Sequence, residues 1–332
     1  MSRLRFAVIG CGAISLESHL PAVLKAPMAE LVAVVDSDIN WARTIAKQFY
    51  AGFAFIDYKE LVGKVDAAIV ATPNITHADI SCYLLENGIH VLCEKPAATN
   101  PTDAGRMFST AEKTPARLMI GQSRRFSSQF QFLYKLLERG YLDRVGELWA
   151  SLGGVVSNWP ARTNYRLQRN LSGGGPLIDQ GVHLIDMALW LFDDQPVKID
   201  YSETRLNDSE IEDNAELTIE FKRGGCAHLA MSYSHGLNRA LTYKAQDGWV
   251  STDIEKSSLE FFLRNSRLCR IAGVQKPILL SSDLAFQTQL EHFCNAILTQ
   301  KPFIVKSDQI IRGLGLIEAC YKTQGSFTWE VA

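Results

Sequence analysis

Residues 4–15 read LRFAVIGCGAIS, an apolar run that passes directly into a glycine pattern. The apolar run predicts a buried β-strand over Leu4–Ile9. Residues 13–25 predict a helix that is kinked at Pro21. The glycines therefore lie where the strand turns into the helix, which is typical of the start of a βαβ unit.

The same alternation continues along the first 122 residues. Apolar runs that predict strands are Leu31–Val35, Ala67–Ala71, Ile89–Cys93 and Arg117–Gly121. Helical periodicity lies between them, and Asn100-Pro101 is typical of a helix N-cap followed by proline. Strands that alternate with helices predict a parallel sheet, whose ligands bind at the carboxyl ends of the strands.

The pattern changes after residue 122. A helix is predicted over Ser128–Glu138, and a strand over Glu147–Val156. Gly173-Gly174-Gly175 then precedes a predicted helix that ends near Phe192, and several strands between residues 198 and 252 and two closing helices follow. We expect an α/β Rossmann domain over residues 1–122. Residues 123–332 are expected to form an α+β substrate-binding and oligomerisation domain with an open, mainly antiparallel sheet.

Composition excludes several classes of partner. The 332 residues carry a net charge of −2, which favours neither nucleic acid nor a membrane surface. No apolar stretch approaches the roughly 20 residues of a membrane span, and the first apolar run ends in glycines rather than in a signal-peptide cleavage pattern. The seven cysteines include no C-x-x-C pair. We therefore expect a cytoplasmic protein with free structural thiols and no metal site.

The glycine pattern predicts a dinucleotide site. It is G-x-G-x-x-S, with Ser15 at the usual third glycine position and Ala13 and Ile14 before it. Gly10 would allow the tight turn, and Gly12 would let a pyrophosphate approach the N-terminus of the helix. A glycine turn without a ligand is the alternative, and the strand before and helix after the motif argue against it.

The end of the second predicted strand indicates which dinucleotide binds. Asp36 lies there and is followed by Ser37, with no adjacent Arg to pair with a phosphate. A carboxylate at this place accepts hydrogen bonds from the ribose hydroxyls and repels a 2′-phosphate. The sequence therefore predicts NAD rather than NADP. Asp36 could also cap the next helix, which is compatible with this role.

Three later segments resemble one family. They are Cys93-Glu94-Lys95-Pro96, Gly121–Phe126 and the G-G-G-P-L-I-D-Q-G-V-H-L-I-D run that begins at Gly173. In this order, behind the glycine pattern, they resemble the Gfo/Idh/MocA family of glucose–fructose oxidoreductase and inositol dehydrogenase. The resemblance covers the whole chain, with Ser15 and Ser123 as mild departures. It implies NAD(P)-dependent hydride transfer at a CH–OH group, and a cis peptide at Lys95-Pro96.

The resemblance also implies a catalytic group of Lys95, Asp179 and His183. Asp179 and His183 are four residues apart, so they share one helix face with Asp186. His183 would be the general acid or base, Asp179 would orient it or bind a substrate hydroxyl, and Lys95 would stabilise charge on the reacting oxygen. The alternatives are a structural histidine and a surface lysine. Asp186 is expected to be structural.

Further cofactor contacts follow from the same resemblance. The T-P-N-x-x-H element contributes Thr72, Pro73, Asn74 and His77, and Glu94 joins them. The histidines without a partner pattern are expected to be structural or at the surface; they are His19, His228, His235 and His292.

A polar loop before the glycine-rich helix predicts the substrate site. The expected substrate-binding residues are Arg124, Trp159, Arg162, Tyr165 and Arg166. Arginine suits a carboxylate or phosphate, and aromatic rings suit the apolar face of a sugar. The alternative is a solvated loop face or a bridge between the domains.

The resulting prediction is an NAD(H)-dependent dehydrogenase or reductase. Its substrate is a small molecule: a sugar, a sugar derivative or a cyclitol, either neutral or anionic. The alternatives are a non-catalytic dinucleotide-binding regulator and a reductase of a non-sugar substrate. An uncovered sheet face in the second domain predicts a homodimer or homotetramer, as does the family resemblance.

Overall fold

The protein is described by a computed structural model. The described residues are 3–156, 163–206, 209–254, 258–264, 278–279 and 284–329. The chain divides into two compact units. The first consists of Met1–Ser123, Pro160–Gly173 and Phe286–Leu314, and the second of Arg124–Trp159, Gly174–Ala285 and Gly315–Ala332. The first unit thus includes two segments beyond residue 122, the boundary expected from the sequence.

A six-stranded parallel sheet forms the centre of the first unit. Its strands are β1 Leu4–Ile9, β2 Ala29–Val35, β3 Phe53–Phe55, β4 Ala67–Val70, β5 His90–Glu94 and β6 Leu118–Gly121. They lie in the order β3-β2-β1-β4-β5-β6, and all pair in parallel. The Rossmann architecture is confirmed. Only β3 lacks a strand prediction, because it is three residues long at an edge and its side chains are not buried.

The helices of the first unit follow the strands. Those between its strands are α1 Leu20–Lys25, α2 Ile39–Gln48, α3 His77–Glu86 and α4 Pro101–Glu112. The wide π-helical turn Ser15–His19 leads into α1 directly before Pro21. Proline has no N–H and its ring crowds the carbonyl four residues earlier, so a widened turn relieves that clash. Asn100 caps α4 by accepting the Asp103 N–H at 2.8 Å, as predicted.

The second unit is built on an open sheet of nine described strands. They are β7 Gly146–Gly153, β8 Pro196–Thr204, β9 Asn214–Phe221, β10 Cys226–Ser232, β11 Ala240–Ala245, β12 Gly248–Asp253, β13 Ser258–Leu263, β14 Ile278–Leu279 and β15 Gly325–Thr328. Their order is β14-β13-β12-β11-β7-β10-β9-β8-β15. Only β7 and β10 pair in parallel, and every other described pairing is antiparallel. The mainly antiparallel open sheet is therefore confirmed.

One face of this sheet is covered from within the unit. The remaining helices are α5 Ser128–Glu138, α6 Arg169–Ser172, α7 Val182–Phe192, α8 Ala285–Thr299 and α9 Ser307–Lys322. Helices α5 and α7 belong to the second unit, α6 and nearly all of α8 belong to the first, and α9 passes from the first unit into the second after Leu314. Of these, α7 packs on β7 and β10. Along β7 the core-facing side chains Leu148, Ala150 and Leu152 are buried, and those between them are partly exposed. This alternation is typical of a sheet with one covered face.

A buried ion pair lies at the end of this core. Arg125 is fully buried and donates to both carboxylate oxygens of Asp186, at 2.8 Å and 2.7 Å. Its guanidinium lies 5.4 Å from the ring centre of Trp190. Arg125 follows the last Rossmann strand, so the sequence places it on the ligand side. The structure instead uses it in the core of the second unit, and Asp186 has the structural role that was predicted.

Two findings bear on the environment of the chain. None of the described helices is both long and apolar enough to cross a lipid bilayer. The six described cysteines, Cys11, Cys82, Cys93, Cys226, Cys294 and Cys320, are free thiols, whereas Cys269 lies outside the described residues.

Candidate active site

The glycine turn after β1 has the geometry that its motif predicts. Gly10 has φ of +88°, and a Cβ there would lie 2.5 Å from the carbonyl oxygen of Ala71. A side chain is therefore excluded on two grounds. A Cβ on Gly12 would meet nothing within 4 Å, so the space above this residue is open to a ligand. Ser15 is buried, and its hydroxyl donates to the Gly10 carbonyl at 2.5 Å.

Side chains from the next βα connection hold the turn in place. Asp36 accepts the backbone N–H of Cys11 at 2.9 Å through one carboxylate oxygen, and that of Asp38 at 3.0 Å through the other. The Trp41 indole donates to the Cys11 carbonyl at 2.9 Å. Both backbone polar atoms of Cys11 are thereby satisfied. Asp36 can accept hydrogen bonds from the turn and from a ribose at the same time, because each carboxylate oxygen accepts more than one hydrogen bond.

A cavity of about 490 Å³ lies over this turn within the first unit. It brings together ten of the residues predicted for the cofactor and substrate sites. These are Gly10, Gly12, Ala13, Ile14, Asp36, Ser37, Thr72, Pro73, Tyr165 and Arg166. Five predicted cofactor residues are not in the lining; they are Ser15, Asn74, His77, Glu94 and Lys95. A cavity that combines a glycine turn, a helix N-terminus and a strand-end carboxylate fits a dinucleotide.

The segment that was expected to bind substrate is part of this cavity wall. Asn74 donates from its side-chain nitrogen to the Ser172 carbonyl at 2.8 Å, and α6 packs on the turn Asn74–Thr76. The Arg166 guanidinium lies 5.1 Å from the ring centre of Tyr165. Tyr165 and Arg166 thus line the same cavity as the glycine turn.

Among the described residues, the lining contains no other expected substrate residue. Trp159 and Arg162 lie outside the described residues. Arg124 belongs to the second unit, is partly exposed, and donates to the Ile254 carbonyl at 3.3 Å.

His77 joins two of the predicted elements. Its Nδ1 lies 2.8 Å from the Pro96 carbonyl oxygen, and its Nε2 lies 2.8 Å from that of Thr72. Burial lowers the pKa of His77 and exceeds the opposing effect of these two carbonyls. The peptide Lys95-Pro96 is cis, as the family resemblance implies. His77 therefore supports the T-P-N and E-K-P turns from below the cavity.

Glu94 forms a buried pair that the sequence did not reveal. His19 donates to its carboxylate at 2.8 Å, and the two side chains are only 2% and 8% exposed. Phe286 packs edge-on against the His19 ring at 5.1 Å. Burial alone would raise the pKa of Glu94, but the hydrogen bond and charge of His19 bring it below its ordinary value. His19 was expected to be structural or at the surface, and its buried carboxylate partner gives it a definite place beside the E-K-P turn.

The same carboxylate contacts Lys95. Its second oxygen accepts the Lys95 backbone N–H at 3.1 Å. The side chain of Lys95 is partly exposed, whereas Glu94 and Pro96 on either side are buried. His19 and Glu94 therefore anchor the backbone from which Lys95 projects.

In the second unit, Asp179 and His183 lie on consecutive turns of one helix. A π-helical turn, Leu177–Gly181, continues into α7, and we call residues 177–192 the site helix. All residues of 176–192 are described, and only Asp179 and His183 among them are partly exposed. An apolar buried helix thus presents one acid and one imidazole on one face, the arrangement that spacing predicts.

Asp179 has a hydrogen-bond donor from the sheet. The hydroxyl of Tyr233 donates to its carboxylate at 2.8 Å, and Tyr233 is buried directly after β10. One residue earlier, the Ser232 N–H donates to the side-chain oxygen of Gln180 at 3.3 Å. The end of β10 therefore holds the first turn of the site helix. No local sequence pattern predicts that Tyr233 binds Asp179, because the two residues are 54 positions apart.

Fold and cavity together define an NAD-binding oxidoreductase. The sequence pattern of the oxidoreductase family with an NAD-binding Rossmann fold, GFO_IDH_MocA, matches residues 4–122. That of the GFO/IDH/MocA C-terminal domain matches residues 130–249. The chain belongs to this family, whose members include dehydrogenases of sugars and cyclitols, and it is an enzyme.

Two curated relatives and one solved structure illustrate the similarity. D-glucoside 3-dehydrogenase of Escherichia coli is 31% identical over 70% of this chain and 71% of its own length. Inositol 2-dehydrogenase of Rhizobium meliloti is 30% identical over 63% of this chain and 61% of its own length. The aldose-aldose oxidoreductase of Caulobacter crescentus has the same fold, with a TM-score of 0.88, 24% identity, and coverage of 98% and 100% of the two chains.

The His19–Glu94 pair predicts a pH-dependent stability difference. Replacing His19 with Phe removes a donor from a buried carboxylate and should lower the free energy of unfolding by about 3 kcal/mol near neutral pH. In the fold, the pKa of Glu94 lies below its ordinary value of 4.5. Its stabilising effect is thus present above that value and is lost as the pH falls through the folded pKa. The difference between native protein and variant should therefore shrink in acid.

Urea unfolding at a series of pH values measures this difference. Glu94→Gln is the matched control, because it removes the charge and keeps His19. A difference that is the same at every pH would mean that the charge of Glu94 does not contribute.

Proposed function

We propose that the protein transfers a hydride between NAD(H) and a secondary alcohol or ketone on the ring of a sugar or cyclitol. The observation that carries this proposal is the site helix, where only Asp179 and His183 are partly exposed in an otherwise buried segment. Two relatives are named for dehydrogenation of a glucoside and of inositol, both of which are ring polyols. An acid and an imidazole side by side suit proton transfer at a ring hydroxyl.

We assign one role to each residue of the catalytic group. In the oxidative direction His183 accepts the proton of the substrate hydroxyl, because imidazole titrates near neutral pH. Asp179, held by Tyr233, orients His183 or binds a neighbouring hydroxyl. Lys95 donates a hydrogen bond to the reacting oxygen and stabilises the charge that develops there. NAD⁺ bound to the first unit would accept the hydride from the carbon that carries this hydroxyl, so that a hydride and a proton together leave the alcohol.

The cavity of the first unit fits the adenosine and diphosphate parts of NAD. We propose that Asp36 accepts the ribose hydroxyls and that NAD(H) is preferred over NADP(H). We also propose that Arg166 pairs with the cofactor diphosphate, since it lines the cavity that contains Gly12. Tyr165, Thr72 and Pro73 would enclose the same part of the cofactor.

The assignment of Arg166 reduces the case for an anionic substrate. The segments expected to border the substrate contain five arginines: Arg124, Arg125, Arg162, Arg166 and Arg169. Arg166 lines the cofactor cavity, Arg125 is paired in the core, and Arg162 lies outside the described residues. Arg124, which belongs to the second unit and is partly exposed, could still bind an anionic group of the substrate. We therefore propose a neutral sugar or cyclitol ring as the preferred substrate.

Two substitutions test the cofactor assignment. Asp36→Asn keeps the shape and one acceptor but removes the charge, so the preference for NAD(H) over NADP(H) should narrow by about tenfold. Arg166→Ala should weaken both cofactors alike, by about 10- to 100-fold, because both carry the diphosphate. Fluorescence titration with NADH and NADPH measures these affinities.

Arg169→Ala is the matched control, three residues away and outside the cavity lining. If Arg166→Ala weakens NADPH alone, Arg166 contacts the 2′-phosphate and the diphosphate assignment is wrong. Tighter binding of NADPH than of NADH by the native protein would contradict the cofactor preference.

A substrate panel tests the function itself. Neutral pyranosides and inositols, together with their phosphorylated or carboxylated counterparts, are assayed with NAD⁺ by nicotinamide absorbance. We expect turnover of a neutral ring polyol. On that substrate, His183→Ala and Lys95→Ala should each lower kcat by about two to four orders of magnitude. NADH affinity should change little in His183→Ala.

His228→Ala is the control, since His228 lies on β10 but on the sheet face opposite the site helix. Near-native turnover in His183→Ala would show that the proton is transferred elsewhere. Turnover of anionic substrates alone, with a raised KM in Arg124→Ala, would replace the neutral-substrate proposal.

We propose that the sheet face opposite the site helix binds a second copy of the chain. One row of paired residues crosses six strands on this face and reads Ser251, Thr242, Trp149, His228, Thr218 and Asp200, with Glu260 beyond Ser251. The centre of the row has no carboxylate, lysine or arginine, and Trp149 is 39% exposed. An uncharged centre with charged ends is typical of a protein interface. We infer a homodimer or a tetramer formed from dimers.

A charge at the centre of this face should break the dimer. Trp149→Glu places a carboxylate where the row is uncharged, so light scattering should give the mass of one chain. Tyr50→Glu is the control, because Tyr50 is 86% exposed in the first unit. A native protein that is monomeric at micromolar concentration would contradict the proposal.

The free thiols of the described cysteines are compatible with a reducing compartment, and we propose a cytoplasmic location.

A further inference from the structure

A buried carboxylate lies at the start of the site helix, and none of the roles assigned above uses it. Glu212 has no exposed surface and precedes β9 in sequence. Its side chain accepts the Gly175 N–H at 3.1 Å to each oxygen, the Leu177 N–H at 3.0 Å, and the Tyr321 hydroxyl at 2.8 Å. All of these partners are donors, so they favour the ionised carboxylate. Burial opposes them and raises the pKa of Glu212.

These contacts replace an N-cap that the helix itself does not supply. The N-cap residue Pro176 makes no side-chain capping hydrogen bond. The first N–H groups of a helix have no intrahelical acceptor, and a negative charge at that end also interacts favourably with the helix dipole. Glu212 accepts the N–H groups on both sides of Pro176, which has none. The cap therefore comes from a residue 37 positions away from Gly175.

The glycines before the helix lie against the same two residues, Tyr321 and Glu212. A Cβ on Gly174 would lie 2.1 Å from the Tyr321 hydroxyl oxygen, and one on Gly175 would lie 2.3 Å from the Glu212 carbonyl oxygen. Both distances are far below a normal contact. The glycine run thus admits Glu212 and Tyr321 close to the backbone.

The contacts of Glu212 also affect Asp179, which lies one helical turn after Gly175. The Asp179 N–H donates to the Gly175 carbonyl at 3.1 Å, so the residue whose N–H Glu212 accepts also provides the carbonyl that begins the helical hydrogen bonds under Asp179. His183 follows one turn later on the same face. A shift of the Gly175 peptide would rotate both side chains, and errors of about 1 Å at such groups lower rates by about 100-fold.

We propose that Glu212 and Tyr321 are positioning residues of the reaction, which hold the first turn of the site helix so that Asp179 and His183 keep their catalytic orientation. This inference rests on the proposed function, because it assumes that Asp179 and His183 take part in the reaction. Neither Glu212 nor Tyr321 is required to touch substrate or cofactor.

The test compares two variants with a matched control. Tyr321→Phe removes one donor to the carboxylate, and Glu212→Gln removes its charge. Tyr243→Phe is the control, since Tyr243 is fully buried in the same unit and donates at 2.7 Å to the Asp143 carbonyl instead. We expect kcat to fall about tenfold in Tyr321→Phe and about 10- to 100-fold in Glu212→Gln, with KM and NADH affinity within about twofold. Tyr243→Phe should lower the melting temperature and keep native kcat.

Hydrogen exchange gives a readout that does not depend on turnover. The amides of Gly175 and Leu177 should exchange faster in Glu212→Gln and Tyr321→Phe than in Tyr243→Phe. If exchange increases while kcat stays native, or if Tyr243→Phe loses as much turnover as Tyr321→Phe, the positioning role is wrong. Should Glu212→Gln not fold, Tyr321→Phe alone decides.

The proposed function fails in a different way. Near-native turnover in His183→Ala would remove the catalytic role of the helix, whatever Glu212 does. A different result would overturn only the positioning role and leave the proposed function in place. In that case His183→Ala loses turnover, whereas Tyr321→Phe and Glu212→Gln keep native kcat.

Discussion

Three carboxylates, of which Glu94 and Glu212 are buried and Asp36 is partly exposed, accept the backbone N–H groups of the turns that carry the functional residues. Asp36 holds Cys11 in the glycine turn, Glu94 holds the backbone of Lys95, and Glu212 holds the start of the site helix. A turn contains N–H groups that neither a helix nor a strand can satisfy, and leaving them unpaired inside a protein is costly. The conformations of these turns, and hence the directions of the side chains on them, depend on these acceptors. Asp36 and Glu212 come from distant parts of the chain, and Glu94, adjacent to Lys95, is held by the distant His19.

The same constraint explains two different uses of glycine. At Gly10 the absence of a side chain allows a positive φ, and at Gly12 it leaves open space for a ligand. At Gly174 and Gly175 it serves the approach of Tyr321 and Glu212, which belong to the protein itself. Glycine-rich runs before helices thus have either a ligand or a capping side chain opposite them, and only the neighbouring atoms distinguish the two cases.

The arginines show that residues of the same type, predicted for the same site, take different roles according to their burial and partners. Arg125 is neutralised by Asp186 in the core, and Arg166 lines the cavity above the glycine turn, while Arg124 remains partly exposed. A guanidinium is stable in the interior only with a paired anion, so its partner decides its role. This distribution assigns positive charge to the cofactor cavity and to the core, and leaves little of it among the described residues expected to meet a substrate.

The sequence by itself determined the alternating strands and helices, the glycine turn with Asp36 at the next strand end, and the helix face that carries Asp179 and His183. Each of these depends on local periodicity or on spacing within one motif. Only the tertiary structure decided that His19 meets Glu94 across 75 residues, that Arg166 lies over the cofactor turn, and that Glu212 caps the site helix. The physical reason is that a buried polar group takes whichever partner the folded chain brings within hydrogen-bond distance, and no local pattern encodes which distant segment that is.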